Sequence, residues 1–559
     1  MSPIAVPIER DRDIEPRYEG ETADALSDEK TGGDYVSNLE ATLDEEEVSK
    51  ELQRLKEESD KLSGFSFRTH TFFKGGGRHM TLILGIFASI GGFIFGMDQG
   101  VISGAILFAP KDLSLDTGQV SMVTGFMPLG GVLGATIGYP LNEWLGRKLS
   151  IIIACLFYTV GGILQADAQN FAMILSGRII LGVGLGLECT ACPVYISESC
   201  TKRWRGGLVS LYQFMICFGL FCAYIVAAIF VHVSGNWRYM LGSTLVFSSI
   251  LLIAMLTLPE TPRWLMRKGR EGQSYKVWSI VRGFDTEEER QEFFVMRKTV
   301  ERELEESKNR YVIMDLVRVH RCRHAAIFGT IIAILCQFSG INSINYYMAT
   351  LMHEVGFSRV HAVYSSMIGS GTLLLFTIPA IYLMDRMGRR VLWLSLLPGV
   401  LVGCFIIGFS FRASNIHVEE GIYIWGIITY YMFWGSGMGP YAWVLGSEIY
   451  PTYIRSEGMA LVTWWTYIGN FITTYCFSKM KRAMTAPGIF IGFYGGFVTI
   501  AWFYAMFMMP ETKDKTLEEI DALFSMSMPD LAKHNWDNVK KTVDDLLHFR
   551  LREVWKVYK

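Results

Sequence analysis

Three ionisable residues lie inside long apolar stretches of this chain: Asp98, Arg178 and Glu188. An Asp or Arg at the centre of a membrane-spanning helix costs ~2.5–3.5 kcal/mol on the insertion scale, so residues of this kind usually serve a function. A buried carboxyl beside a cation can bind and release a proton, because burial favours its neutral form and the cation favours its ionised form. Asp98 and Arg178 are therefore candidates for proton binding, or else form a static pair that only joins two helices.

Glu188 allows two interpretations. It is either a second proton site or a carboxyl whose hydrogen bonds are satisfied by a neighbouring helix. Cys189 and Cys192 lie in the same apolar stretch, and we do not predict metal binding or redox chemistry from them. The sequence contains no nucleophile–base set, no metal-spaced ligands and no phosphate loop, so neither an enzyme nor a cofactor is predicted.

The apolar stretches around these residues predict an all-α membrane protein. Half of the residues are apolar and 19% are charged, and most charges lie in residues 1–79, 259–323 and 513–559. About 20 apolar residues cross a bilayer as a helix, because a helix bonds its backbone groups within one segment. Twelve spans are predicted, at residues 79–105, 118–141, 149–167, 171–195, 206–232, 239–258, 324–351, 361–384, 391–411, 421–446, 457–478 and 488–509.

Short charged motifs occur twice along the chain, each time at the end of an apolar stretch. The three pairs are Glu143–Lys148 with Asp385–Arg390, Glu198 and Arg205 with Glu448 and Arg455, and Pro259–Arg263 with Pro510–Lys513. The offsets between the copies are 242, 250 and 251 residues. This agreement indicates a duplication, which predicts two pseudo-symmetric six-helix bundles joined by a linker.

The repeat and the charge distribution predict the domain organisation. The units are a disordered acidic tail (1–78), an N-terminal bundle (79–258), cytoplasmic linker helices (259–323), a C-terminal bundle (324–512) and a C-terminal tail (513–559). Basic residues are in excess on the side of the repeated motifs, which places both tails in the cytoplasm. Residues 1–79 lack an apolar core segment, so no signal peptide is predicted.

Two patterns of spacing predict contacts between helices. Val48, Leu52, Leu55 and Leu62 form an apolar stripe, which belongs either to a solvated helix or to a helix that docks on the cytoplasmic face or on a regulator. Glycines recur at every fourth residue from Gly92 to Gly104 and from Gly130 to Gly138. Such glycines let helix backbones approach closely within a membrane.

Further motifs occur in order between residues 80 and 525. They are Phe95–Gly104 (FGMDQGVISG), Gly177-Arg178, Pro193–Glu198 (PVYISE), Gln337–Asn342 (QFSGIN), Ser447–Pro451 (SEIYP) and the repeated motifs above. In this order and spacing, they resemble the sugar porter family of the major facilitator superfamily. The resemblance implies the major facilitator fold and alternating access, in which two bundles rock about a central site.

The resemblance also implies roles for individual residues. Asp98 would take up a proton, and Arg178 would adjust the proton affinity of Asp98. Gln213, Gln337, Asn342 and Trp443 would bind a neutral polyhydroxylated solute, since amides both donate and accept hydrogen bonds. Tyr346 and Tyr347 would form an extracellular gate, with ordinary packing as the alternative. A cytoplasmic gate would consist of Glu143, Arg147, Glu198, Arg205, Asp385, Arg389, Glu448 and Arg455. The alternative is that basic residues lie there only because cytoplasmic loops are basic, which would explain the arginines but not the acidic residues beside them.

Several residues depart from the family pattern. Cys336 replaces the first of two glutamines, Leu374 replaces an asparagine, and Thr466 and Tyr467 replace an Asn-Trp pair. A buried hydrogen bond to a hydroxyl is worth ~0.5–1.5 kcal/mol, so losing two would weaken binding of an ordinary hexose about tenfold or more. The pocket therefore prefers another sugar, a polyol or a less polar solute, or has lost transport.

We therefore predict a transporter of a monosaccharide or polyol, coupled to protons as a symporter. The alternatives are a facilitative uniporter on the same fold and a non-transporting sugar sensor. The predicted partners are the solute, protons and the lipid bilayer, with no nucleic acid. We expect a monomeric multi-pass protein of the plasma membrane.

Overall fold

A computed structural model describes residues 45–61, 66–71, 78–200, 202–284, 286–307, 312–450, 454–511 and 523–548. The secondary structure of these residues is helical, as predicted. Length and hydropathy select ten candidate membrane spans among them. One of the ten, Glu457–Phe507, contains two predicted spans, and the helix Ile416–Glu448 is a further one. The helices are thus consistent with twelve spans.

The N-terminal half contains six spans. They are Arg78–Ala105, Thr117–Leu145, Arg147–Ala166, Phe171–Ser199, Lys202–Phe230 and a sixth that is broken into Asn236–Gly242 and Thr244–Thr257. Four shorter helices follow: Pro262–Arg267, Glu271–Val281, Glu287–Ser307 and Val312–Arg318. We refer to these four as the linker helices.

The C-terminal half repeats this arrangement. Its spans are a seventh broken into His320–Phe338 and Ile341–Glu354, then Arg359–Met387, Arg389–Ser410, Ile416–Glu448 and Arg455–Pro487, and a twelfth made of a π-helix, Gly488–Tyr494, and Gly495–Phe507. The eleventh helix continues six residues beyond its predicted end at residue 478, to Met484, and Thr485 then has a non-helical backbone with a φ of +64°. A helix can extend past the hydrocarbon because its backbone bonds are internal, whereas hydropathy marks only the crossing segment.

The packing of the spans repeats as the duplication predicts. The first span packs on the fifth, and the fourth packs on the second and third; likewise, the seventh packs on the eleventh, and the tenth packs on the eighth and ninth. The halves meet where the second span contacts the eleventh and where the fifth contacts the eighth. The predicted glycine contacts are present as well. A Cβ on Gly96 would lie 1.9 Å from the Ile216 carbonyl oxygen, and one on Gly134 would lie 2.2 Å from that of Val183.

The repeated charged motifs form the same structure twice, at one end of the molecule that we call the motif end. Gly146 and Gly388 have φ angles of +96° and +92°, and each precedes a helix. Glu260 accepts backbone hydrogen bonds from Arg147 and Lys148 at the start of the third span, at 3.1 and 3.2 Å. Glu511 does the same for Arg389 and Arg390 in the ninth span, at 2.9 and 3.1 Å. A carboxylate there satisfies N–H groups that have no partner within the helix and interacts favourably with the helix dipole.

The N-terminal helix Glu45–Lys61 docks on the linker helices. Leu55 is fully buried against an aromatic cluster that includes Trp278 and Phe293. Arg297 forms ion pairs with Glu51 at 2.8 Å and with Glu271 at 3.3 Å. Burial lowers the pKa of Arg297, but the hydrogen bond to Glu51 and the nearby carboxylates outweigh it and raise that pKa. The interpretation as a solvated helix is therefore wrong, because the apolar stripe has a partner; the side chain of Val48 and the whole of Leu62 lie outside the described part.

We predict that Glu511→Ala destabilises the protein, because two backbone N–H groups at the start of the ninth span lose their acceptor. An unsatisfied buried donor costs about 1–3 kcal/mol. Glu260→Ala should have a similar effect through the third span. The measurement is the apparent melting temperature of the purified protein, with the exposed Glu305→Ala as a control. A melting temperature for Glu511→Ala equal to that of the control would refute the capping role.

Candidate functional site

Asp98 of the first span and Arg178 of the fourth span form a buried ion pair. Their side chains are 1% and 0% exposed, and Arg178 Nη1 donates to Asp98 Oδ1 at 2.6 Å. Arg178 also donates to the Val123 carbonyl at 3.0 Å and to the Gln165 side chain at 3.4 Å. Asp98 Oδ2 and Arg178 Nη2 have no hydrogen-bond partner among the described residues. The guanidinium is thus held by other groups, while the carboxylate keeps one oxygen available for a proton.

A network of amides begins at the next residue, Gln99, and crosses between the halves. Gln99 donates to Asn342 Oδ1 at 3.2 Å and accepts from Asn345 Nδ2 at 3.2 Å. Asn342 donates in turn to the side chain of Gln337, and the Tyr431 hydroxyl donates to Asn345. Gln337 and Asn342, both predicted from the sequence, therefore lie together, and Asn342 contacts the N-terminal half one residue away from Asp98.

A break in the seventh span brings these two amides together. The helix stops at Phe338 and restarts at Ile341, and Gly340 between them has a φ of +96°. A Cβ on Gly340 would lie 2.7 Å from the Tyr494 ring, so the turn requires glycine for its space as well as for its conformation. Asn342 Nδ2 donates to Gln337 Oε1 across this break, so the two side chains lie on the same side of the seventh span.

Gln213 lies apart from this network. Its side-chain nitrogen contacts Cys217 Sγ at 3.8 Å, and Cys217 in turn contacts the Thr377 hydroxyl of the eighth span at 3.3 Å. Gln213 also lies beside Gly439 in the tenth span, as does the Trp434 ring. Gln213 is 7% exposed, and Gln337 and Asn342 are 8% exposed, so all three retain a small accessible surface.

The tenth span contributes one tryptophan that the sequence analysis did not select. Trp434 Nε1 donates to the Ser339 hydroxyl at 3.1 Å, next to the break in the seventh span. The predicted Trp443 belongs to the same helix, but its side chain lies outside the described part of the chain.

Tyr346 and Tyr347 have different surroundings. The hydroxyl groups of Tyr347 and Thr124, a residue of the second span, share a hydrogen bond of 2.6 Å between the halves. Tyr346 is fully buried, and its hydroxyl contacts Met127 Sδ at 3.5 Å. Tyr347 therefore joins the halves at the end opposite the motif end, whereas Tyr346 lies beside the ion pair and the amide network.

The second and eleventh spans form an antiparallel seam between the halves. The rings of Phe126 and Phe471 form an edge-to-face pair with a centroid distance of 6.0 Å. A Cβ on Gly131 would lie 2.6 Å from the Tyr467 ring, and the Tyr467 hydroxyl donates to Cys189 Sγ at 2.9 Å. Tyr467, noted only as a departure from the family pattern, thus packs into the opposite half on the motif side of the amide network.

A cavity of about 650 Å³ lies beside the seam near the motif end. It is lined mainly by apolar side chains of the second, seventh and eleventh spans and of the linker helix Val312–Arg318. On its wall the Tyr139 hydroxyl donates to Glu457 at 2.5 Å, which is a contact between the halves.

Four of the eight predicted gate residues have described side chains. Arg147 pairs with Glu143 at 3.2 Å and with Glu198 at 2.9 Å, and Glu198 accepts from the Thr261 hydroxyl at 2.6 Å. These contacts lie within the N-terminal half and the start of the linker, while the backbone N–H of Arg389 bonds to Glu511. The side chains of Arg205, Asp385, Glu448 and Arg455 lie outside the described part.

The sequence analysis missed several residues of the network. Gln99 directly follows the selected Asp98, and Asn345 lies three residues after Asn342, on the same face of a helix. Helical spacing could therefore have suggested Asn345. No comparable signal pointed to Tyr431, Thr124 or Cys189, because each is recognised only by its contact with a distant span.

Comparisons with known proteins now identify the family. The model of the family described as sugar (and other) transporter matches residues 84–524. The chain belongs to this family. The predicted membership is thereby confirmed, and it agrees with the prediction that the protein is not an enzyme.

Two relatives and two solved structures illustrate the similarity. A myo-inositol transporter, FST1, of Gibberella moniliformis is 46% identical over 84% of this chain and 83% of its own length. The human proton myo-inositol cotransporter is 28% identical over 79% and 81%. The proton:xylose symporter XylE bound to 6-bromo-6-deoxy-D-glucose has a TM-score of 0.68 and 26% identity, covering 80% of this chain and 99% of XylE. Inward-open XylE from E. coli has a TM-score of 0.64 and 26% identity, covering 79% and 99%.

We predict that Tyr347→Phe and Tyr139→Phe favour opening of the molecule at opposite ends. Each removes one hydrogen bond between the halves, worth roughly 0.5–1.5 kcal/mol for a neutral pair and more for a charged acceptor. Tyr347→Phe should raise the population that is open at the end opposite the motif end, and Tyr139→Phe the population that is open at the motif end, each about 2- to 10-fold.

Distances between labels on the two halves, measured by pulsed electron resonance, would test this prediction. Tyr239→Phe is the matched control, because Tyr239 is exposed and its ring stacks on Phe230 of the same half. Equal distance distributions for all three variants would show that neither tyrosine controls opening.

Proposed function

We propose that this protein transports a small neutral polyhydroxylated solute across a membrane by alternating access, as a proton symporter. The observation that carries the proposal is the position of Gln99. Gln99 is adjacent in sequence to Asp98, which is paired with Arg178, and it hydrogen-bonds to two amides of the other half. A change in the charge of Asp98 can therefore affect two things: the amides that would bind the solute, and the hydrogen bonds that join the halves.

The solute that best fits is a cyclic polyol of the inositol class. A myo-inositol transporter is 46% identical to this chain, and Arabidopsis thaliana relatives described as inositol transporters are 28–29% identical. Amides suit such a ligand because each can donate to one hydroxyl and accept from another. In this proposal Gln213, Gln337, Asn342 and Trp443 bind the solute, which replaces hydrogen bonds that the amides now make with each other.

Proton coupling follows from the arrangement of Asp98 and Arg178. A proton on Asp98 removes the charge that attracts Arg178, so the single hydrogen bond between them weakens. Arg178 keeps its bonds to Val123 and Gln165 and stays in place. The neutral Asp98 then allows the first span to move relative to the fourth. A membrane potential of 100 mV supplies about 2.3 kcal/mol per charge, enough for more than tenfold accumulation of a neutral solute.

The gates and the domain division complete the mechanism. Bundles 79–258 and 324–512 rock about the amide network, tied by the linker 259–323. Tyr347, together with Tyr346 beneath it, closes the extracellular side. Glu143, Arg147, Glu198, Arg205, Asp385, Arg389, Glu448 and Arg455 form the cytoplasmic gate. The ion pairs of Arg147 within the N-terminal half support a gate whose N-terminal side is rigid. The hydrogen bond between Tyr139 and Glu457, which joins the halves, supports closure at the motif end.

The topology is also part of this proposal. The excess of basic residues at the motif end supports a cytoplasmic location for that end and for both tails. We propose a monomer in the lipid bilayer of the plasma membrane.

A facilitative uniporter is the second candidate. The ion pair is compatible with a uniporter as well. If Asp98 and Arg178 only hold the first and fourth spans together, a static pair would show the same buried contact. Uptake into proteoliposomes distinguishes the two, since a uniporter equilibrates the solute whatever the proton gradient.

We predict that Asp98→Asn abolishes accumulation of myo-inositol. The wild-type protein should accumulate it at least tenfold under an inward proton gradient and a membrane potential. Asp98→Asn should only equilibrate it, yet still exchange labelled for unlabelled solute, because exchange needs no net proton movement. Asp167→Asn, at an exposed loop position, is the control. Undiminished accumulation by Asp98→Asn would exclude this carboxyl as the coupling site, and gradient-independent uptake by the wild type would indicate a uniporter.

We predict that Gln337→Ala and Asn342→Ala each weaken solute binding about 2- to 10-fold, because each removes a hydrogen bond worth ~0.5–1.5 kcal/mol. Binding to the purified protein is measured against monosaccharides, polyols, inositols and sugar acids. The exposed Gln169→Ala serves as the control. Unchanged affinities for both amide variants would place the binding site elsewhere.

A further inference from the structure

Glu188 is a buried carboxyl that the proposed mechanism does not use. It lies on the fourth span, ten residues from Arg178 toward the motif end, and is 2% exposed. Its side chain fills the space above Gly91 of the first span, where a Cβ would lie 1.9 Å from Glu188 Oε1. Gly91 precedes Asp98 by seven residues, which corresponds to about 10 Å along the helix. Glu188 is therefore a second carboxyl between the first and fourth spans, closer to the motif end.

Among the described residues, the surroundings of Glu188 offer it no partner. Oε1 has no hydrogen-bond partner, and no hydrogen bond or ion pair of this side chain is found among the described residues. The interpretation that a neighbouring helix satisfies this carboxyl is therefore not supported by the contacts. The titratable groups around it are Cys155 and Tyr158 on the third span, Cys189 and Cys192 on its own span, Tyr212 on the fifth and Tyr467 on the eleventh.

None of these groups can compensate a negative charge, since thiols and phenols are neutral near pH 7. The first span presents glycine at this level, and its only carboxyl, Asp98, lies two turns away and is paired with Arg178. An isolated carboxylate without a hydrogen bond or a cation is strongly disfavoured in an apolar interior. Glu188 therefore carries a proton in this conformation.

The shielding of Glu188 depends on the contact between the halves. The adjacent Cys189 accepts a hydrogen bond from Tyr467 of the opposite half at 2.9 Å, and Tyr467 also covers Gly131. When the halves separate at the motif end, Tyr467 must leave this position. Water can then reach the turn of helix that holds Cys189 and Glu188, and a carboxyl in water ionises readily.

We propose that Glu188 is a second proton-binding site, protonated while the motif end is closed and ionised when that end opens. The O–H bond of Glu188 breaks on opening and the proton passes to water on that side; it returns from the same water on closing. By linkage, an opening that releases one proton becomes more favourable as pH rises, by up to tenfold per pH unit. The proposal rests on the alternating opening invoked for the proposed function, but not on symport.

The test measures opening of the purified protein directly, without transport. Labels introduced as unnatural amino acids at the exposed positions Trp144 and Lys533 report the distance between the halves at the motif end. The measurements use an Asp98→Asn parent, so that the first carboxyl does not contribute. In this parent, the ratio of open to closed molecules should rise with pH between 5 and 9, by as much as tenfold per unit.

Two substitutions of Glu188 test whether this carboxyl causes the pH dependence of opening. Glu188→Gln keeps the shape but cannot ionise, so its open fraction should not change with pH. Glu188→Asp keeps a carboxyl and should keep the pH dependence, which guards against a loss caused by misfolding. A pH response in Glu188→Gln equal to that of the parent, or no response in the parent itself, would overturn the proposal. A failure of Asp98→Asn to affect accumulation would refute the proposed coupling and leave this result standing.

Discussion

A polar group in the middle of a membrane protein has no bulk water to bind, and the centre of this structure depends on that constraint. Asp98 pairs with Arg178, and Arg178 donates further hydrogen bonds to the Val123 carbonyl and the Gln165 side chain. The amides of Gln99, Asn342 and Gln337 bond to each other. Because the second of these sets spans both halves, the groups suited to binding a solute also hold the halves together. In the proposed mechanism, a solute that replaces these bonds acts directly on the contact that breaks when the halves move.

The contacts within each half differ in kind from the contacts between the halves. Within each half, backbones pack closely through glycines, and the start of an internal helix is capped by a glutamate, Glu260 or Glu511. Between the halves, the described polar contacts are side-chain hydrogen bonds such as those of Tyr347, Tyr467 and Tyr139. Close backbone packing resists change, whereas side-chain bonds can be exchanged. This contrast suits two rigid bodies with a seam that opens reversibly.

Much of the fold was predictable because the membrane leaves few solutions. Hydropathy predicted the spans, and the repeated motifs predicted their pseudo-symmetric packing. The ends of helices were predicted less accurately, as the eleventh span shows by continuing to Met484. The docking of Leu55 on the linker helices was left open, because an apolar stripe does not reveal its partner. Gln337 and Asn342 were found through their motif, whereas Thr124 and Tyr431 were not, since each gains its role only from a residue far away in the sequence.

The sequence by itself determined the class of the protein: twelve apolar spans, a duplication, and charged residues in places where the bilayer makes a charge expensive. Local composition suffices for this, because each helix must satisfy its own backbone within the membrane. Tertiary structure alone decided which polar groups find partners. It paired Asp98 with Arg178, joined Gln99 to Asn342, and left Glu188, beside Gly91, without a hydrogen-bond partner among the described residues. Pairing across distant spans depends on how the helices pack, and no single stretch of sequence contains that information.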